Sequence, residues 1–130
     1  MFSHVMVGAN DIEASKKFYD AVLGVLGAGE PMRDVKEDGT IRLFYIHNGN
    51  VMGVSQPING EPACGANGGT IGFACDSLDQ VKAFHDAGVA NGGTSIEDPP
   101  GPRDSATGTL NLAYVLDPAG NKLCAMNRPG

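Results

Sequence analysis

Tryptophan is absent, and aromatic residues make up only 6% of the 130 residues. Basic residues are scarce: 9 Lys and Arg stand against 15 Asp and Glu, a formal net charge of -6. No cationic cluster exists beyond Lys16-Lys17. A chain with so few cations releases few phosphate counterions, which excludes nucleic acid as a partner. No apolar run approaches the roughly 20 residues of a membrane-crossing helix. The opening MFSHVMVGANDIE has neither the basic start nor the apolar stretch of a secretory signal. The three cysteines, Cys64, Cys75 and Cys124, are odd in number and follow no CxxC or zinc-finger spacing. That argues against a disulfide framework. A reduced, cytoplasmic protein is the expectation.

Glycine is abundant instead. There are 19, with 8 prolines, in a chain that is 42% apolar and 18% charged, against a usual glycine share of about 7%. The glycines alternate with apolar, strand-like runs, so they read as turn and strand punctuation in a sheet-rich fold. The length suits one compact domain.

The chain repeats itself. Phe2–Val7 lies over Gly68–Phe73, and the same offset carries Phe18-Tyr19-Asp20-Ala21 onto Phe84-His85-Asp86-Ala87. After a shift in the connections, Gly49–Gly53 lies over Gly120–Cys124. Each copy reads strand, helix, then three strands. In the first, residues 3–8 form a strand, and Asn10 with Glu13 makes a capping box for a helix from Ile12 to Leu23 or Val25. Gly27 and Gly29 end that helix. Strands are expected near 31–36 and at 41–47, and Asn48-Gly49 turns the chain into a strand at 50–55. In the second copy, TIGFAC (70–75) is the strand, and Ser77 with Gln80 opens a helix through Leu78, Val81, Phe84 and His85. Gly88 and Gly92-Gly93 close it. A short strand at 94–97, a loop at 99–109, a strand at 110–116, the Asp117-Pro118-Ala119-Gly120 turn and a strand at 121–126 complete it. The fold class is α+β: two tandem βαβββ modules forming a curled mixed sheet with helices outside, module one at 1–56, a linker at 57–68 and module two at 69–130.

SHVMVGANDIEASKKFYDAVLG, GGTIGFACDSLDQVKAFHDAG and YVLDPAGNKLCAM together resemble the vicinal oxygen chelate superfamily, the glyoxalase/bleomycin-resistance/dioxygenase group. The resemblance implies a U-shaped cup around a small-molecule ligand, and a homodimer whose cups are completed across modules. It also implies that a divalent metal (Zn, Ni, Fe or Mn) would be held by the first and last strand of each module, acting as a Lewis acid in lyase, isomerase or dioxygenase chemistry. Carried over residue by residue, those positions are His4, Gly53, Thr70 and Cys124. His4 matches the family. Gly53 cannot ligate, Thr70 is a poor ligand, and Cys124 stands where a Glu is expected. The candidate metal ligands are therefore His4 and Cys124, a degraded set, because two ligands rarely hold a metal against water.

Strand alternation puts His4, Met6, Gly53, Thr70, Gly72, Cys124 and Met126 on the cup side, with Val5, Val7, Ile71, Phe73 and Cys75 on the helix side. Arg103, in the 99–109 loop, reads as a lid residue for an anionic ligand or as an exposed loop arginine. His4 reads equally as a hydrogen-bonded pocket histidine, and Cys124 as a small apolar filler. His47 reads as solvated, His85 as a surface or packing residue, and Tyr45 and Tyr114 as lining the cup or packing outside it. LGVLGAG lacks the Lys-Ser/Thr of a phosphate-binding loop. Two functions follow: a glyoxalase-like small-molecule-binding protein with metal-dependent lyase or isomerase chemistry, and a non-catalytic drug- or metabolite-sequestering protein of bleomycin-resistance type.

Overall fold

Asp11, one residue later than the capping-box pattern suggested, caps the first helix. In the computed structural model, which describes residues 1–130, β1 (Val5–Gly8) leads into α1 (Ile12–Val25). The Asp11 carboxylate accepts the Ala14 amide at 3.1 Å. Asn10 is engaged elsewhere: its side chain donates to the Ala63 carbonyl at 3.2 Å and accepts the Ala63 amide at 2.7 Å, pinning the inter-module segment.

β2 (Met32–Val35), β3 (Ile41–His47) and β4 (Asn50–Ser55) follow. The sheet order is β1-β4-β3-β2, with β1 parallel to β4 and the rest antiparallel. Asn48 and Gly49 both take positive φ, 49° and 78°, as a type I′ hairpin requires. Module two repeats the plan with β5 (Ile71–Ala74), α2 (Leu78–Ala90), β6 (Thr94–Ser105), β7 (Gly108–Leu116) and β8 (Lys122–Asn127), in the order β5-β8-β7-β6. Ser77 accepts the Gln80 amide at 3.1 Å, as its pattern suggested, while the Gln80 side chain reaches one residue further back and accepts the Asp76 amide at 2.6 Å.

Two expectations are corrected. Gly88 does not end α2; it lies inside the helix, where a Cβ would stand 3.1 Å from the Phe18 ring and 3.3 Å from Val22. Its missing side chain lets α1 and α2 approach. The segment expected as a loop at 99–109 is largely strand. β6 runs to Ser105, interrupted by an irregularity between Ile96 and Gly101 that leaves Pro99 and Pro100 unpaired. Proline cannot donate to a ladder, so the bulge of an edge strand is where it fits.

The helices bury Phe18, Tyr19 and Val22 from α1 and Val81 and Phe84 from α2 against Leu43, Val54, Val115 and Leu123 of the sheets. Each such side chain contributes about 1.5–3 kcal/mol by transfer from water. Polar ties fasten one module to the other. The Asn121 side chain donates to the Gly8 carbonyl at 2.9 Å, and Gln80 to the Val25 carbonyl at 3.1 Å. No helix is long and apolar enough to cross a membrane.

Candidate functional site

Each sheet has one face covered by its helix and one that is not. Register decides what the uncovered faces carry. Across sheet one, Met6, Gly53, Phe44 and Met32 stand side by side. Across sheet two, the corresponding row is Gly72, Cys124, Tyr114 and Ile96. The first row is apolar and open: Met6 is 40% and Met32 57% exposed, with Ile46 of the same face at 62%. On these faces Arg42 is paired with Asp34 at 2.5 Å and Lys122 with Glu97, while Arg103 of the second face has carbonyl partners only.

The residues singled out from the sequence divide between the two sheets. His4 precedes β1, is exposed, and shares a hydrogen bond with Ser3 Oγ at 2.8 Å through Nδ1. Met6 covers Gly53, where a Cβ would stand only 2.5 Å from the Met6 sulfur. Thr70 precedes β5 and is exposed, as is Gly72, which has open space where its Cβ would be. Cys124 is buried and Met126 half-buried on β8. Arg103 belongs to β6, not to a lid loop. Its guanidinium donates to the carbonyls of Asp98 and Pro99 at 2.9 Å and of Gly101 at 3.1 Å, closing the bulge of its own strand.

Two residues of the second face escaped the sequence reading. Lys122 lies two residues before Cys124, and its ammonium sits 4.7 Å from the Tyr114 ring centroid, a cation–π contact. The spacing was a usable signal. Its partner Glu97 left none, because it reaches Lys122 from the bulge with a φ of 61°, a conformation rare outside glycine. Burial pushes the Cys124 thiol above its ordinary range; the Tyr114 hydroxyl and Lys122 pull the other way without reversing it. Burial also raises the Tyr114 phenol, helped by Cys124. The hydrogen bond to Glu97 raises Lys122.

His85 stands on the helix side, where Nδ1 meets Asp86 at 2.9 Å and Nε2 meets Ser95 Oγ at 2.7 Å, joining α2 to β6. Tyr45 is also on the helix side, donating to Asp20 at 2.7 Å. A hollow of about 340 Å³ lies beside Met6, bounded by Ile58, Ala63 and Cys64.

The donor set does not fit a bound divalent ion. Gly53 offers no ligand and its space is taken by a thioether. Thr70 offers a neutral hydroxyl, and metal binding would require the Cys124 thiol to lose the proton that burial holds on it. No three His, Cys, Asp or Glu side chains of the chain gather closely enough to hold a metal.

The sequence matches the profile of the Glyoxalase/Bleomycin resistance protein/Dioxygenase superfamily over residues 1–125. Among solved structures, a glyoxalase/bleomycin resistance protein from Albidiferax ferrireducens T118 is 55% identical. The match covers 98% of this chain and 99% of that one, with a TM-score of 0.88. A glyoxalase-related enzyme from Fulvimarina pelagi shares the fold at 21% identity, over 99% of this chain and 89% of that one, with a TM-score of 0.70. A V278E mutant of glyoxalase I from Zea mays does so at 18% identity, over 95% of this chain but 45% of its own, also at 0.70. No curated protein matches. Two βαβββ modules in tandem, the profile match across nearly the whole sequence and the 55% identical structure place the chain in the glyoxalase/bleomycin resistance protein/dioxygenase superfamily.

Proposed function

We propose that the chain is a small-molecule-binding protein that holds its ligand without a metal ion, as a sequestering protein of the bleomycin-resistance type. The observation that carries this reading is the Met6 thioether lying over Gly53, at a position where the family resemblance expects a metal ligand. The superfamily often binds divalent metals, but here the Met6 thioether occupies the space over Gly53, where one of the four ligands would stand. Exposed Met6, Met32 and Ile46 leave sheet one with an apolar face that a monomer keeps in water. Covering it with the corresponding face of module two from a second copy makes a homodimer with a cup at each junction. His4, Met6, Gly53, Thr70, Gly72, Cys124 and Met126 then belong to the cup walls. Arg103 borders the cup as a structural residue. The free thiols of Cys64, Cys75 and Cys124 fit a reduced, cytoplasmic setting.

A metal-dependent lyase or isomerase is the second reading, and His4 at the first-strand position favours it. Metal analysis of untagged protein purified without chelators separates the two, with His4→Ala as the control. The expected result is substoichiometric metal in both proteins, no thermal shift with zinc, nickel, iron or manganese, and no turnover of the glutathione–methylglyoxal adduct. Stoichiometric metal that His4→Ala loses would overturn the proposal. Gel filtration is expected to show about twice the 13.4 kDa chain mass, and a clean monomer would remove the shared cup.

A further inference from the structure

We infer that the Tyr114 hydroxyl is the polar recognition point for an uncharged, apolar small molecule carrying a hydrogen-bond-accepting oxygen, such as an aryl ketone. This rests on the cup reading above and adds to it the class of ligand.

The chain has three tyrosines. Two hydroxyls are committed within the protein, Tyr19 to Asp117 at 2.6 Å and Tyr45 to Asp20 at 2.7 Å. Tyr114 is different. It stands in the middle of the uncovered face of sheet two, half-buried, with Cys124 as its cross-strand neighbour. A thiol is a weak hydrogen-bond acceptor, so this phenol keeps most of its donor capacity. Its surroundings then select the partner. Lys122, the cation nearest the ring, is neutralised by Glu97, and the Arg103 guanidinium on the same face spends its hydrogen bonds on the carbonyls of Asp98, Pro99 and Gly101, so neither cation is poised to clamp an anion beside Tyr114. Gly72 leaves open space beside Cys124, giving a ligand oxygen a way to the row. The matching row of sheet one, Met6, Gly53, Phe44 and Met32, offers no side-chain donor or acceptor stronger than a thioether. A molecule between these two central rows meets one hydroxyl donor on one side and apolar, polarizable surface on the other, with His4 and Thr70 two residues outward from Met6 and Gly72. Pockets of that kind take an apolar body and orient it by a single polar group.

The test compares two fluorescent probes, 6-propionyl-2-dimethylaminonaphthalene, which carries a ketone, and 2-dimethylaminonaphthalene, which does not. Wild-type protein is expected to bind both saturably and the ketone about tenfold more tightly. Tyr114→Phe removes one oxygen and keeps the ring. It should bind the two equally, whereas Tyr45→Phe, which removes a hydroxyl on the helix side, should retain the preference. Equal binding of the two probes by wild-type protein overturns this inference and leaves the cup standing, and that comparison needs no variant to fold. A folded Tyr114→Phe that keeps the tenfold preference also overturns it. Failure of wild-type protein to bind either probe overturns the cup and this inference together.

Discussion

Tyr19 on α1 donates its hydroxyl to the Asp117 carboxylate at 2.6 Å, although 98 positions separate them in sequence. Asp117 opens the β7–β8 turn and also accepts the amides of Ala119 and Asn121, both at 2.9 Å, and the Asn121 side chain at 2.8 Å. Asn121 in turn reaches the Gly8 carbonyl of β1. A turn of module two is thereby docked on a helix and a strand of module one. Tyr19→Phe keeps the ring in the core and removes only the charge-assisted bond. The expected loss is about 1.5–3 kcal/mol, read from urea unfolding, with little change in native spectra.

Stability should also fall on the alkaline side. Burial pushes the Cys75 thiol up to about 11, and burial with the Asp117 carboxylate holds the Tyr19 phenol well above its usual range. Unfolded thiols and phenols titrate near about 8.5 and 10. The unfolded chain therefore loses these protons first, so the stabilisation is complete at lower pH and is lost as pH rises through this window. Each group contributes a slope of up to about 1.4 kcal/mol per pH unit. Urea unfolding from pH 7.5 to 10.5 measures it, and Cys75→Ala is expected to flatten the slope above pH 9.

Gly93 sits where the chain leaves α2. A Cβ there would stand 2.6 Å from the Phe18 ring, 2.7 Å from the Gly88 carbonyl and 2.9 Å from the Leu116 carbonyl. Two of these neighbours are backbone and cannot step aside cheaply. Gly93→Ala is expected to cost about 3 kcal/mol, at the upper end of overpacking. Gly72→Ala, with open space around it, should stay within about 0.5 kcal/mol. Paired thermal melts of the two variants check the contrast.

Arg103→Met keeps an apolar stem and deletes three bonds to the carbonyls of the β6 bulge. Because the group is partly in water, the expected cost is about 1 kcal/mol. Hydrogen exchange should quicken around 97–103 and remain unchanged in β5 and β8. An arginine serving as an anion-binding lid would show instead a loss of ligand affinity with unaltered exchange.

The positions of the helices, the two hairpins and the tandem repeat were legible because each rests on local chemistry. Ser77 and Gln80 cap α2, Asn48-Gly49 takes the positive φ of a hairpin, and alternation sorts Val7 from Met6. The departures share one cause. Asn10 yields the cap to Asp11 because Ala63, distant in sequence, claims its side chain. Gly88 stays inside α2 because Phe18 needs the room. Pro99 and Pro100 are accommodated in β6 because Arg103 closes the bulge around them.

The same division holds at the site. Glycine at 53 and cysteine at 124 are facts of the sequence, and they already weaken a metal centre, because no backbone arrangement lets glycine donate a side-chain ligand. Tertiary structure alone decided the rest: that Met6 fills the space over Gly53, that Glu97 neutralises Lys122, and that Tyr114 faces the Cys124 thiol, a weak acceptor, while Tyr19 and Tyr45 donate to carboxylates. Backbone chemistry is written residue by residue. Which side chains meet depends on strand register and on the approach of two helices, set by contacts from across the whole chain.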